Sequence, residues 1–344
     1  MKLLCTGGAG YIGSHTIFQL LKQTSFQIVV LDDLRTGFLQ NVTYLEQCYP
    51  NRITFMQFDL GDKTKLEALF ANTRFDAILH FSASLIVSES VEYPLQYYQN
   101  NVANALGLID CCVRYGVQYF IFSSTAAVYG EPDSIGQAID EKTPLAPINP
   151  YGASKMMVER ILRDVSEASS LRYVALRYFN VAGACMDNTA DLLANNMGLG
   201  QRSKNATHLI KVALECATAK RASMNIFGTD YPTVDGTCIR DYIHIDDLAN
   251  AHLSALEYLS DTGKSEVFNV GYSHGYSVKE VIECAKKISG VDFCALPAAK
   301  RAGDPAALIA SNAKLLALTS WKPRFNNLET IIRSAYEWEC ALKS

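Results

Sequence analysis

No stretch of this chain approaches the ~20 consecutive apolar residues that a membrane-spanning helix needs. Nor is there room before the first glycines for an export signal, whose apolar region runs to about 7–15 residues. Lys2-Leu3-Leu4-Cys5 leads directly into Thr6-Gly7-Gly8. The expectation is a cytoplasmic protein with no membrane partner. Metal-ligand spacing is also missing. Ten cysteines are scattered without a CxxC, only Cys111 and Cys112 being close together, and the six histidines lack ligand spacing. Reduced thiols are expected rather than a disulfide framework, because a chain of this length buries a core without staples. A basic excess is absent too: 31 Lys and Arg against 35 Asp and Glu leave a net charge of −4. Such a chain has no general attraction for nucleic acid or anionic lipid, so any phosphate it takes must be held by a local site.

What is present is an ordinary globular composition, 49% hydrophobic and 19% charged, with length for one or two domains. Short β-branched or aromatic runs (Lys2–Thr6, Gln27–Leu31, Ile53–Gln57, Ala77–His80, Tyr119–Ser123, Tyr173–Arg177) alternate with amphipathic stretches such as Ile12–Gln23, Lys63–Phe70, Tyr97–Tyr115 and Tyr151–Ser166. Strands spaced by helices imply right-handed βαβ crossovers and a doubly wound parallel sheet covered on both faces. Beyond residue 180 the alternation loosens. Val181–Gly200 reads as a long loop or lid, His208–Ala219 as a helix, Ile239–Ile245 as a strand, and Asp246 or Asp247 as the cap of a helix reaching about Leu259. Lys264–Gly271 again resembles a strand. The expected division is a first domain over 1–180 and a smaller α/β substrate domain over 181–344, with segments near 236–275 returning to the first.

Thr6-Gly7-Gly8-Ala9-Gly10-Tyr11-Ile12-Gly13 closes the first strand and opens the first helix. Glycines there permit a tight turn and close backbone approach to a pyrophosphate, and the helix N-terminus adds partial positive charge. Asp32 ends the second strand 19 residues after Gly13, near the ~20 expected for an acid accepting ribose hydroxyls. An acid there disfavours a 2′-phosphate, so NAD is the expected cofactor. Asp59-Leu60 and Phe81-Ser82-Ala83 follow the third and fourth strands, where loops would meet it.

Tyr151-Gly152-Ala153-Ser154-Lys155 places a phenol and an ammonium four residues apart, on one helix face. A tyrosine with a free pKa of ~10 becomes a base near neutrality only if about 4 kcal/mol favours its phenolate. A neighbouring ammonium in a partly dry site is a source of that energy. Ser123-Ser124-Thr125, at the end of the fifth strand, supplies hydroxyls able to relay a proton.

With TGGAGYIGSH, LDDL, FSSTAAVYGE, NPYGASK, LRYFNVAGA, FGTDYPTVDGTCIRDYIHIDDLA and RAGDPA, the chain resembles the extended short-chain dehydrogenase/reductases over nearly its whole length. Within them it is most similar to the UDP-glucose 4-epimerase branch. That resemblance implies a Rossmann-type fold and an NAD that stays bound. It also implies transient oxidation at C4 of a UDP-sugar and hydride return to the opposite face. It implies contacts to NAD from Gly7, Gly10, Tyr11, Ile12, Gly13, Asp32, Asp59, Leu60, Phe81, Asn100 and Tyr178. Tyr151 would be the base, Lys155 would hold the nicotinamide ribose and tune Tyr151, and Thr125 would be the shuttle. Asn180, His208, Leu209, Arg240, Arg301 and Asp304 would meet the substrate, the arginines because a planar fork holds phosphate oxygens bidentately. A homodimer through the helices over Tyr97–Tyr115 and Tyr151–Ser166 is implied as well.

Three positions depart from some relatives or leave the substrate open. Leu85 replaces a Lys near the NAD phosphates, His208 replaces an Asn, and Leu308 stands where side-chain size limits N-acetylated sugars. UDP-N-acetylhexosamine and UDP-pentose therefore remain alternatives. A 4,6-dehydratase is disfavoured because Ala126-Ala127, not an Asp-Glu pair, follow Thr125. A non-catalytic NAD sensor is disfavoured because both Tyr151 and Lys155 are present.

Overall fold

The computed structural model describes residues 1–131, 136–195, 197–203, 206–301 and 304–342. Ala302-Gly303 of the RAGDPA stretch, and one residue of the 181–200 segment, lie outside the described residues.

The first half alternates strictly: β1 (Lys2–Thr6), α1 (Tyr11–Gln23), β2 (Gln27–Asp32), α2 (Leu39–Cys48), β3 (Ile53–Gln57), α3 (Lys63–Asn72) and β4 (Ala77–His80). Short helices α4 (Val87–Glu92) and α5 (Pro94–Tyr98) run into a π-helical turn, Gln99–Ala103, and then α6 (Asn104–Arg114). The single helix expected over Tyr97–Tyr115 is therefore interrupted. The wider turn lets Asn101 bond Ser84 on both its N–H (2.8 Å) and its carbonyl (3.0 Å), tying the loop after β4 to the helix. β5 (Tyr119–Thr125), the two-residue β6 (Ala138–Ile139), α7 (Pro150–Ala168) and β7 (Arg172–Tyr178) complete this half.

Next come β8 (Asn180–Ala182), α8 (Ala190–Ala194), α9 (Leu209–Ala217), β9 (Ser223–Phe227), β10 (Ile239–Arg240), β11 (Tyr242–His244), α10 (Ile245–Thr262) and β12 (Glu266–Val270). Last are β13 (Tyr276–Ser277), α11 (Val278–Ser289), β14 (Cys294–Ala298), β15 (Ala307–Ala310), α12 (Ala313–Leu318) and α13 (Leu328–Ala341).

Seven strands form one sheet in the order β12-β7-β5-β4-β1-β2-β3, all neighbours parallel. Side chains alternate across it. Leu3, Cys5, Val30 and Leu79 pack with α1, α2 and α10, whereas Leu4, Val29, Ile78 and Phe120 pack with α3, α6 and α7. Burial on both faces is what a doubly wound sheet requires, and it explains the continuous apolar strands. A separate core joins α9, α11 and α13.

Three expectations are corrected. The segment Ile239–Ile245 is not one strand: β10 pairs with β13 and β15, while β11 pairs with β8, and Asp241 between them turns the chain. Asp241 can do so because its carboxylate accepts from the N–H groups of Tyr272, Ser273 and Ala310. The cap of α10 is His244, whose Nδ1 accepts from the Asp246 N–H at 3.1 Å, so both aspartates lie in the first turn instead. Finally, Val181–Gly200 contains β8 and α8 and is not one uninterrupted loop.

Candidate active site

Strand order reverses where β1 lies between β2 and β4, and loops at the C-terminal ends of the strands open there. A single cavity of about 1250 Å³ starts at this point and extends to the loops around β10 and β15. All twenty site residues expected from sequence line it.

The dinucleotide end is built by the glycine turn. Gly7 has φ +71°, and a Cβ there would lie 2.6 Å from the Ser82 nitrogen, so only glycine admits the β4 loop so closely. Gly10 caps α1 with extended backbone and no side-chain hydrogen bond, and no acidic residue follows in the first turn. The first N–H groups of α1 thus face the cavity without a side-chain acceptor, as an anionic pyrophosphate requires. Asp32 stands at the end of β2, its oxygens accepting from Ala9 N (3.0 Å) and Leu34 N (2.9 Å). Each carboxylate oxygen retains a lone pair for a ribose hydroxyl. Burial pushes the Asp32 carboxyl above its ordinary range, opposed by those two N–H groups. Asn100 lies on the π-helical turn, donating to Ser84 Oγ at 3.0 Å and accepting from Arg35 at 3.3 Å. These features fit a nicotinamide–adenine dinucleotide.

At the middle of the cavity α7 crosses the end of β5. Asn149 caps α7 through the Gly152 N–H at 2.8 Å, and Pro150 occupies the first turn, so the helix begins one residue before Tyr151. Thr125 Oγ1 accepts from the Ala127 N–H at 3.1 Å, which leaves its hydroxyl hydrogen to donate to Tyr151. Lys155 is buried, donates to the Ser123 carbonyl at 2.8 Å and lies 5.0 Å over the Phe122 ring. Burial pushes Lys155 down to about 7, with Glu159 opposing. Tyr178, on the neighbouring strand, reaches His252 Nε2 at 3.2 Å; His252 Nδ1 bonds the Leu248 carbonyl at 2.9 Å, so Nε2 is the acceptor.

Burial raises Tyr151, and the Thr125 hydrogen bond pulls the other way.

The far end carries the arginines. Arg240, on β10, has its guanidinium 3.6 Å from Asp304, and Arg301 lies 3.7 Å over the Phe227 ring. Leu308 sits opposite Arg240 in the parallel β10–β15 register. His208 and Leu209 open α9 at the wall, where His208 Nδ1 and Gln201 Nε2 are 3.0 Å apart. Burial lowers His208 below its ordinary value. Asn180 begins β8, its N–H donating to the Asp241 carbonyl at 2.9 Å.

Residues missed in the sequence surround Lys155. Glu159 accepts from Ser124 Oγ at 2.5 Å and bidentately from Arg177, which also donates to Tyr129 at 2.9 Å. Glu159 follows Lys155 by four residues, the spacing that links Tyr151 to Lys155, so the helix face could have shown it. The Arg177 partnership could not be read in advance. Nor could Phe227 beneath Arg301. Among the described residues no three His, Cys, Asp or Glu side chains gather as a metal site, and the ten cysteines are unpaired.

Fold and site together define an NAD-dependent α/β enzyme. The chain belongs to the NAD dependent epimerase/dehydratase family, whose model matches residues 3–271. A UDP-glucose 4-epimerase from Azospirillum brasilense is 44% identical, over 99% of this chain and 93% of that protein. The solved UDP-Glc/GlcNAc 4-epimerase of Campylobacter jejuni is 53% identical with a TM-score of 0.84, covering 98% of both chains. The UDP-glucose 4-epimerase of Bifidobacterium longum, solved in complex with NAD+ and UDP, is 33% identical with a TM-score of 0.90, also over 98% of both. No described helix is long and apolar enough to cross a membrane.

Proposed function

We propose that this chain interconverts UDP-glucose and UDP-galactose by inverting C4 of the sugar. The observation that carries this reading is spatial: Tyr151 and Thr125 share one cavity with the glycine turn at one end and Arg240 and Arg301 at the other. Residues 1–180 supply the dinucleotide end and the base; residues beyond 180 supply most of the nucleotide-sugar end.

Gly7, Gly10, Tyr11, Ile12 and Gly13 hold the pyrophosphate of NAD, Asp32 its adenosine ribose, Asp59 and Leu60 its adenine, and Phe81, Asn100, Lys155 and Tyr178 its nicotinamide half. Bound there, NAD supplies a reversible acceptor for the C4 hydride and a positive charge. Tyr151, as the phenolate to which the Thr125 hydroxyl donates, takes the proton of the C4 hydroxyl, directly or relayed through Thr125. Arg240, Arg301 and Asp304 clamp the UDP, and Asn180, His208 and Leu209 flank it. Anchoring the nucleotide places the binding energy away from C4, so the 4-keto sugar turns over while remaining attached. Once the hydride has returned to the opposite face of C4, Tyr151 gives its proton back to the C4 oxygen.

Purified protein, with no cofactor added, converts UDP-glucose to UDP-galactose under this reading, and denaturation releases NAD. Absence of both outcomes refutes it. A second reading concerns breadth. Leu308, buried and lining the cavity beside Arg240, presents an aliphatic side chain there. UDP-N-acetylglucosamine and UDP-arabinose, assayed beside UDP-glucose, separate a hexose-restricted enzyme from a broader one.

The chain also assembles, in this proposal, as a homodimer in the cytoplasm. Leu95, Leu106, Val113 and Met157 stand exposed on α5, α6 and α7, an apolar set that pairing of these helices would cover.

A further inference from the structure

Three consecutive residues of β5 meet three successive turns of α7. Thr125 meets Tyr151, the Ser123 carbonyl meets the Lys155 ammonium, and the Ser124 hydroxyl meets the Glu159 carboxylate. Tyr151, Lys155 and Glu159 follow at four-residue intervals, so they form one stripe of the helix. The base and its lysine are accounted for by the reaction; the third member is not.

Glu159 and Arg177 are both about 5–6% exposed. A buried ion pair is weak evidence for stability, since an apolar pair of similar volume often does as well. This pair is held with unusual completeness. Arg177 donates to both Glu159 oxygens and to Tyr129, and Tyr129 donates to Asn269, which in turn donates to the Ile139 carbonyl. We propose that Glu159 is a positioning residue for the reaction, its fixed carboxylate serving as the counter-charge that keeps Lys155 an ammonium at the cavity wall. The proposal rests on the epimerase reading for its consequence, not for the charge itself.

Among the described residues, Glu159 is the carboxylate whose charge acts on Lys155. β4 contributes His80, which is buried and neutral, β5 contributes Ser123 and the Phe122 ring, and β7 contributes Arg177 and Tyr178. On α7 itself stand Tyr151 and Glu159. Burial draws the lysine toward neutrality, and Glu159 is the group that opposes it.

The test uses Glu159→Gln, and Glu159→Gln with Arg177→Met in case the lone buried guanidinium prevents folding. Lys155 is followed directly by ¹³Cε-lysine NMR, its signal assigned by its loss in Lys155→Arg, and kcat is measured against pH. In Glu159→Gln the lysine titrates roughly one unit or more below wild type, and the alkaline limb of kcat moves down with it. In the double variant both lie between the single variant and wild type, because the guanidinium that repelled the ammonium is gone. A folded variant in which Lys155 titrates as in wild type, with kcat reduced equally at every pH, overturns the proposal. If wild type itself has no epimerase activity, the function fails while the lysine shift still decides the charge relationship.

Discussion

Gly13 and Gly7 are packed so closely that a Cβ on Gly13 would lie 2.4 Å from the Gly7 carbonyl oxygen and 2.8 Å from the Gly8 α-carbon. Backbone, not a flexible side chain, occupies that space. Gly13→Ala is therefore expected to open the turn and lower the NAD retained on purification. Gly107, inside α6 with nothing within 4 Å of its would-be Cβ, is the control. Gly107→Ala is expected to stabilise by about 0.5–1 kcal/mol and to leave NAD content unchanged. Equal NAD content in the two purified variants would contradict the glycine-turn assignment.

Tyr151→Phe removes the phenolic oxygen while keeping the ring. Loss of a positioned acid–base group lowers turnover by about 10²–10⁴-fold. Thermal unfolding should be nearly unchanged, since the lost partner is one hydrogen bond to Thr125. Retention of a tenth of wild-type turnover would remove Tyr151 from its role.

Arg301→Ala deletes a guanidinium that stacks on Phe227 and, among the described residues, makes no ion pair. A charge-assisted hydrogen bond contributes about 1.5–3 kcal/mol, so KM for the UDP-sugar should rise by roughly ten- to a hundredfold. Because the diphosphate is held alike in ground and transition states, kcat should change much less. Steady-state kinetics separate the two; a fall confined to kcat would place Arg301 elsewhere in the reaction.

Asp246 provides a pH signature away from the chemistry. It is buried in the first turn of α10, where one oxygen accepts from the Met186 N–H at 2.8 Å and the other has no hydrogen-bond partner among the described residues. Burial, with Asp187 and Asp247 adding to it, raises this carboxyl from 3.8 to about 7. Between these values the folded chain holds a proton that the unfolded chain has released. Stability therefore falls as pH rises through that window, by an amount on the order of a few kcal/mol. Asp246→Asn should be more stable than wild type at pH 8, the difference shrinking toward pH 4. Urea unfolding at both pH values measures it, and a gap that does not depend on pH would contradict the linkage.

Much of the fold was readable because its signals are local. The apolar runs at β1 to β5 and β7 are long enough to stand out, and helices between them leave only a parallel sheet. The interrupted helix at Gln99–Ala103 carries no such mark: nothing in the local pattern separates a π-helical turn from a regular one. Ile239–Ile245 failed for a related reason. It reads as one strand, yet Asp241 is held by N–H groups from residues 272, 273 and 310, and such distant donors leave no trace in the local pattern.

What the sequence determined alone was the set of short-range devices. These are the glycine turn fixed by backbone sterics, the acid closing β2, and the phenol and ammonium stacked by the helical repeat. Tertiary structure decided what those devices face. The adjacency of β5 and β7 brings Arg177 to Glu159, and the β10–β15 pairing sets Leu308 beside Arg240. Turns and helix faces are set by neighbours a few residues away, whereas strand order is chosen by burying two faces of one sheet at once. That choice depends on the whole chain.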